Sequence, residues 1–269
     1  MDNLSDIGRK FYGISIAGLG SLTIYYSDFP YMLIPPKHSW ILDLAVVSYI
    51  FGVMFILAGT CIVFKKEIRI MSLILASLLL IIFCLYFIPY QLIVSSKFMQ
   101  LGDWENAEKE LALSGGAFVI AGCFSEKNQT ILSRLLSKLI PSGTIFFALA
   151  IISFGIDHFL YAKEAADYVP SWIPNHMFWI YFAGIPLVGS GLAIMLKIKV
   201  RIIAALLGAM IFIWFIILHI PYVIAAHFSD TGGEVTSAFL ALGYSGIAFV
   251  ISGAAKKNSR KYSIKSKSV

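Results

Sequence analysis

The sequence predicts an all-α membrane protein, with eight transmembrane helices arranged as two parallel-repeat four-helix bundles. Three observations lead there. The 269-residue chain is 59% hydrophobic and only 13% charged, with mean hydropathy +0.83. A soluble domain carries about 25% charged residues. Eight apolar segments are long enough, or nearly so, to cross a hydrocarbon core of about 30 Å. Finally, a set of short motifs in the first half returns in the same order in the second.

The segments lie at 11–27, 41–64, 70–94, 108–124, 142–161, 178–196, 201–226 and 237–255. The first and fourth are the shortest. Arg9 and Lys10 precede the first run, as in a signal peptide. No small-x-small site ends that run, and it has a counterpart later in the chain, so it reads as a membrane helix.

Basic residues set the expected orientation. With the N-terminus in the cytoplasm, 17 of the 21 Lys and Arg fall on the cytoplasmic side, and only Lys37, Lys97, Lys109 and Lys163 fall outside. The positive-inside rule then places both termini in the cytoplasm and the protein in a cell's inner membrane. The net charge of +6 is spread between and after apolar segments, with no stacking aromatics on a polar face. Nucleic acid is therefore not an expected partner. The outer loops hold most acids, including Asp28, Asp103, Glu105, Glu108, Glu110, Asp167 and Glu234. They read as solvated loop ends, with cation binding as the unspecific alternative.

The repeat rests on four matches. "DFPYMLIPPKHSW" at 28–40 matches "DYVPSWIPNHMFW" at 167–179, and "KKEIR" at 65–69 matches "KIKVR" at 197–201. "IPY" at 88–90 matches 220–222, and "SGGAFVIAG" at 114–122 matches "SGIAFVISG" at 245–253. Four spans per unit give both units one orientation, which makes a parallel repeat. The expected units are 1–127 and 142–255, joined by a linker at 128–141 and followed by a basic cytoplasmic tail at 256–269. In the linker, Ile131, Leu132, Leu135, Leu136 and Leu139 share one helical face. It reads either as a helix on the membrane surface or as an extension of the fifth span. The tail is expected to be disordered, with anionic lipid as a contact. Small residues such as Gly13, Gly20, Gly52, Gly115, Gly189 and Gly246 are expected at helix crossings.

Cys61, Cys84 and Cys123 form no C-x-x-C pair and read as small buried hydrophobes. Ionisable groups inside spans are costly and mark function or a polar cavity. Asp157 and His158 stand about 22 Å up their helix, and His219 about 27 Å up its own. With Trp172, His176 and His227 they define a candidate pocket at the outer end of the second unit. The alternative is that they sit at the interface and bond water or head groups. Aligned through the turn motif, Asp157 and His158 match Gly18 and Leu19, while His219 matches Phe87. The fold therefore does not require them. Asp167, Pro170, Pro174 and Trp179 belong to a structural turn that caps the bundle. Pro89 and Pro221 are expected to kink the third and seventh helices.

"GIDHFLYAKEAADYVPSWIP" followed by "FAGIPLVGSGLAIML" resembles the DoxX-like membrane proteins. In that family a G-x-x-HF helix end leads into a VP-x-x-(I/L)P turn and a Gly-rich helix. The resemblance spans about 142–255. The first unit is similar but lacks the HF pair, and Pro186 stands near the point where the family has an acid. The resemblance implies a four-helix bundle, here doubled. It also implies links to membrane redox systems or to assembly of other membrane proteins.

The leading expectation is an accessory subunit of a quinone-linked membrane redox system, with a quinone head group held by a histidine. The alternatives are a scaffold or assembly factor for a membrane protein partner, and a small-solute transporter. His158 and His219 supply one bis-His pair for haem, but relatives with the HF pair alone would lack the second ligand. A zinc or copper site on Asp157, His158 and His219 is equally thin, and no metal site is expected. No nucleotide-binding glycine loop or Ser/His/Asp set occurs, so catalysis by the chain alone is not expected.

Overall fold

The computed structural model describes residues 3–29, 45–95, 97, 99–126, 129–226 and 233–266. The helices are α1 (Asn3–Tyr25), α2 (Ala45–Phe64), α3 (Ile68–Ile82), α4 (Glu105–Cys123), α5 (Ile131–Leu136), α6 (Ser142–Leu160), α7 (Ala162–Ala166), α8 (His176–Met195), α9 (Val200–Trp214), α10 (Ile220–Ala225) and α11 (Gly233–Ser266). This is an all-α protein whose long apolar helices pack against one another. Six stretches among the described residues are long and apolar enough to cross a membrane: 46–64, 68–94, 131–160, 176–195, 200–225 and 233–255.

Two of the eight expected spans, α1 and α4, are not among those six. Both are long, but polar and charged residues interrupt their apolar runs. α4 carries Glu105, Glu108, Lys109 and Glu110 in its first six residues and is otherwise buried from Ala112 to Ala121. α1 is dense in Gly and Ser, and buries Ser5, Arg9, Ser15 and Thr23. A helix shielded by other helices need not be apolar enough to face lipid. The outer helices show the reverse, with large side chains such as Leu57, Leu85, Ile185, Leu206 and Ile224 exposed. So broad an apolar surface has its natural solvent in a bilayer.

Packing runs α2–α1–α11–α9 on one side and α8–α6–α4–α3 on the other, with α4 touching α11 between them. Glycines set the closest crossings. A Cβ on Gly246 would lie 2.5 Å from the Gly8 carbonyl oxygen and 2.8 Å from the Tyr12 nitrogen. A Cβ on Gly115 would lie 2.6 Å from the Gly143 oxygen and 2.9 Å from the Phe147 nitrogen. The same correspondence links Gly20–Gly52 to Gly155–Gly184, and Gly59–Gly13 to Gly191–Ala148. Gly189 differs from the expectation, because open space surrounds it.

Other features recur in matching places. The α2–α3 turn has Lys65 and Glu67 at φ 59° and 45°, and the α8–α9 turn has Lys197 and Lys199 at 59° and 41°. The Ser114 hydroxyl donates to the Ala76 carbonyl at 2.8 Å, and the Ser245 hydroxyl to the Gly208 carbonyl at 2.8 Å. α3 widens into a π-turn at Phe83–Phe87 and α9 into one at Phe215–His219. Each π-turn ends two residues before a proline, Pro89 or Pro221. Proline has no N–H, and its ring excludes the carbonyl four residues back, so the turn ahead of it relaxes.

The packing corrects one register. Gly8, Gly20 and Ala17 of α1 take the places of Gly143, Gly155 and Ile152 of α6. Asp157 and His158 therefore stand where Leu22 and Thr23 stand, instead of opposite Gly18 and Leu19. The turn motifs misled because four more residues precede the second one, in the segment that holds the short helix α7. Thr23 donates to the Leu19 carbonyl, as His158 bonds the Phe154 carbonyl, so even the local bonding is preserved.

The linker forms α5 and a 3-10 turn at Ser137–Leu139, with Thr130 capping the Ser133 N–H. Ile131, Leu132 and Leu135 are exposed, while Leu136 and Leu139 pack on the core. α11 continues through Ser266, so the expected disordered tail is helical as far as that residue. The first-unit turn motif at 30–40 and His227 lie outside the described residues.

Candidate functional site

The polar side chains gather where the start of α4 meets the end of α6, at the end of the bundle opposite the termini. Ser153 of α6 donates to Glu108 of α4 at 2.5 Å. The second Glu108 oxygen is buried without a hydrogen-bond partner, as are both oxygens of Asp157, one turn beyond Ser153. Lys109 pairs with Glu105 at 2.7 Å and bonds Asn106 at 3.2 Å. Its charge acts on Glu108, Asp157 and His219. Buried carboxylates without partners are expensive in any apolar medium. Their presence needs a reason beyond packing.

His158 follows Asp157. Its Nδ1 lies 2.7 Å from the Phe154 carbonyl oxygen. A carbonyl only accepts, so Nδ1 carries the proton and Nε2 is left as an acceptor. His219 ends the π-turn after α9, in the place that fully buried Phe87 holds after α3. Glu110, two residues beyond Glu108, lies within electrostatic reach of Tyr12 and Tyr244. It is 1% exposed, and neither carboxylate oxygen has a hydrogen-bond partner. The Tyr12 and Tyr244 hydroxyls donate to the Leu113 and Lys109 carbonyls.

The structure brings Asp157, His158 and His219 within electrostatic reach of one group of charges on α4. Trp172 is 69% exposed and takes no described part in that group. The turn packs on its own apolar cluster: Val169 and Ile173 are buried with Ala162, Ala166 and Ile180. The Pro170 carbonyl accepts from Ile173 N–H at 2.9 Å, and the Pro174 carbonyl from Trp179 Nε1–H at 3.1 Å. Trp179 meets Trp214 edge-on at 6.1 Å, while Asp167 is exposed. No group of three His, Cys, Asp or Glu suited to hold a metal ion occurs among the described residues.

Reading the acids here as solvated loop ends holds for exposed Glu105 but missed Glu108 and Glu110, which hold buried carboxylate oxygens. The available signal was their spacing. Glu105, Glu108 and Lys109 fall at i, i+3 and i+4, which puts them on one helix face, leading directly into "LALSGGAFVIAG".

The corresponding crossing of α1 with α11 carries no ionisable side chain at the matching positions, and the Ser15 hydroxyl donates to the Phe239 carbonyl there at 2.6 Å. There Gly18 and Leu22 stand for Ser153 and Asp157, and Phe239 and Leu240 for Glu108 and Lys109. The Phe239 ring fills the space beside Gly18, 2.3 Å from where a Cβ would be. The two crossings are built on matching glycine contacts, and of these positions only those at the α4–α6 crossing are ionisable. No family model, no curated protein and no solved structure matches the chain.

Proposed function

We propose that this chain is a tandem duplication of a DoxX-like four-helix unit, crossing a cell's inner membrane eight times with both termini cytoplasmic. Its units are 1–127 and 142–255, joined by the linker at 128–141 and followed by the basic tail at 256–269. Support comes from the paired π-turns, left-handed turn residues, serine bonds and glycine crossings. The polar α4–α6 crossing is its working site, on the outer side, and the chain serves as an accessory, proton-handling subunit of a quinone-linked redox system. The observation that carries this reading is the asymmetry. Ser153, Asp157, Glu108 and Lys109 replace residues that close the same crossing with Gly18, Leu22, Phe239 and Leu240.

The chemistry is consistent. A quinone that takes two electrons from a partner also takes two protons. Glu108 and Asp157 are placed to pass protons, and His158 Nε2 is free to accept a bond from a quinol hydroxyl. The buried carboxylates favour one second reading, a proton-coupled carrier of small solutes.

Titration of the purified protein with a short-chain ubiquinone, wild type beside His158→Ala, separates these readings. The redox reading expects saturable binding that weakens about tenfold or more in the variant, the value of one hydrogen bond to a ring nitrogen in a dry site. Absence of quinone binding overturns it. Proton flux into proteoliposomes that depends on Asp157 would then favour the carrier, and a tight protein partner without either would favour a scaffold.

A further inference from the structure

The opposite end of the bundle, which carries the termini, shows the complementary asymmetry. In the first unit this end is closed by ions. Arg9 is 1% exposed. It donates to the Ile62 carbonyl and, at 2.6 Å, to the Val63 carbonyl, and pairs with Asp6 at 2.9 Å. Lys65 adds a second pair to Asp6 at 2.7 Å. The packing register puts Pro141 in the place of Asp6 and Thr144 in the place of Arg9. Lys197 stands for Lys65, Lys199 for Glu67 and Arg201 for Arg69.

Two acids and the plugging arginine are therefore gone, and the space they would fill is open. A groove of about 1410 Å³ runs there, lined by Thr144, Ile194, Met195 and Leu206, with Lys197, Lys199 and Arg201 also in its wall. Ile194 and Met195 are the counterparts of the residues that Arg9 caps. Among the described residues no carboxylate pairs with these three cations.

We propose that this groove is a binding site for one anionic phospholipid. Its phosphate lies against Lys197, Lys199 and Arg201 in the α8–α9 turn, and an acyl chain lies along the apolar wall. Three features favour that occupant. The cations sit in the turn between two apolar helices, at the level of a lipid head group. The wall beyond them is largely apolar, and its Ile145, Ile202 and Leu206 are exposed as lipid-facing residues would be. The chain's own C-terminal segment is excluded by charge, since it brings Lys256, Lys257, Arg260 and Lys261.

The test uses the full chain, delipidated in a non-ionic detergent, with dioleoylphosphatidylglycerol as probe and dioleoylphosphatidylcholine as control, read by native mass spectrometry. One phosphatidylglycerol per chain is expected at concentrations where phosphatidylcholine does not bind. Lys197→Gln with Lys199→Gln should weaken it about thirty-fold, at about 1 kcal/mol per cation. Pro141→Asp with Thr144→Arg installs the first unit's plug and should remove the site. If that variant fails to fold, the lysine pair carries the test. Equal retention of the two lipids, or undiminished binding in the lysine variant, overturns the proposal. Full displacement by inorganic phosphate at matched concentration also overturns it, because the acyl wall would then contribute nothing.

Discussion

Replacing Arg9 by methionine is expected to destabilise the protein by about 2–3 kcal/mol, chiefly the cost of leaving two buried carbonyls without their donor. The arginine caps the C-terminus of α2 through the Ile62 and Val63 carbonyls and holds Asp6. Methionine fills similar volume, so the loss isolates the polar role. It leaves two carbonyls uncapped and Asp6 with Lys65 and Lys10 alone. The network also has a pH signature. Asp6 precedes the apolar stretch of α1, and its bond to Lys65, followed by that to Arg9, lowers its pKa from 3.8 to about 2. A carboxylate with a depressed folded-state pKa gives stability that is complete above the unfolded value and lost as pH falls through the folded one. The gap in melting temperature between wild type and Arg9→Met should therefore hold from neutral pH to about 4 and narrow toward about 2. A gap that is constant to low pH would show that Arg9 acts through the Ile62 and Val63 carbonyls and not through Asp6.

Substitution of Gly246 by leucine is expected to cost at least about 3 kcal/mol, the upper range for overpacking, and to abolish accumulation in the membrane. The Cβ alone would meet the Gly8 oxygen at 2.5 Å and the Tyr12 nitrogen at 2.8 Å. Both are backbone atoms of a neighbouring helix, so no rotamer relieves the contact, and α1 must separate from α11 along its length. Gly189→Ala is the control. Nothing lies within 4 Å of its position, and alanine is the better helix former by about 1 kcal/mol. That variant should melt at or above the wild-type temperature. Equal damage from both substitutions would mean that close approach does not decide the cost at these positions, since helix propensity favours alanine and leucine alike over glycine.

Much of the helical framework was legible because periodicity is the wrong signal here and continuous apolar length the right one. The ends of α2, α3, α6, α8 and α9 follow from apolar runs bounded by charge or proline. α1 and α4 were harder to read because glycine, serine and charged residues interrupt their apolar runs where they pack against other helices. The repeat motifs identified paired segments, but the register of α1 against α6 depends on glycine crossings that no linear match contains. Asp157, His158 and His219 stood out as ionisable groups in apolar runs. Glu108 and Glu110 did not, because four ionisable residues at a helix start look like a solvated end. Only the packing of α6 over that end shows that they are enclosed. Trp172 drew notice as an interfacial aromatic, yet the turn presents it outward while Val169 and Ile173 fill the cluster beneath.

We propose that the α4–α6 crossing is a site added to a scaffold that does not need it. The direct measurement is on the variant Glu108→Phe, Ser153→Gly, Asp157→Leu, which copies Phe239, Gly18 and Leu22 from the other crossing. Its melting temperature and its affinity for a short-chain ubiquinone are compared with wild type. Replacing buried ionisable groups with residues that already pack in the equivalent place should leave stability equal or raise it by about 1–4 kcal/mol, while quinone binding is lost. An unfolded variant would make the cluster structural, and a folded variant that still binds quinone would place the site elsewhere. Either result contradicts the account.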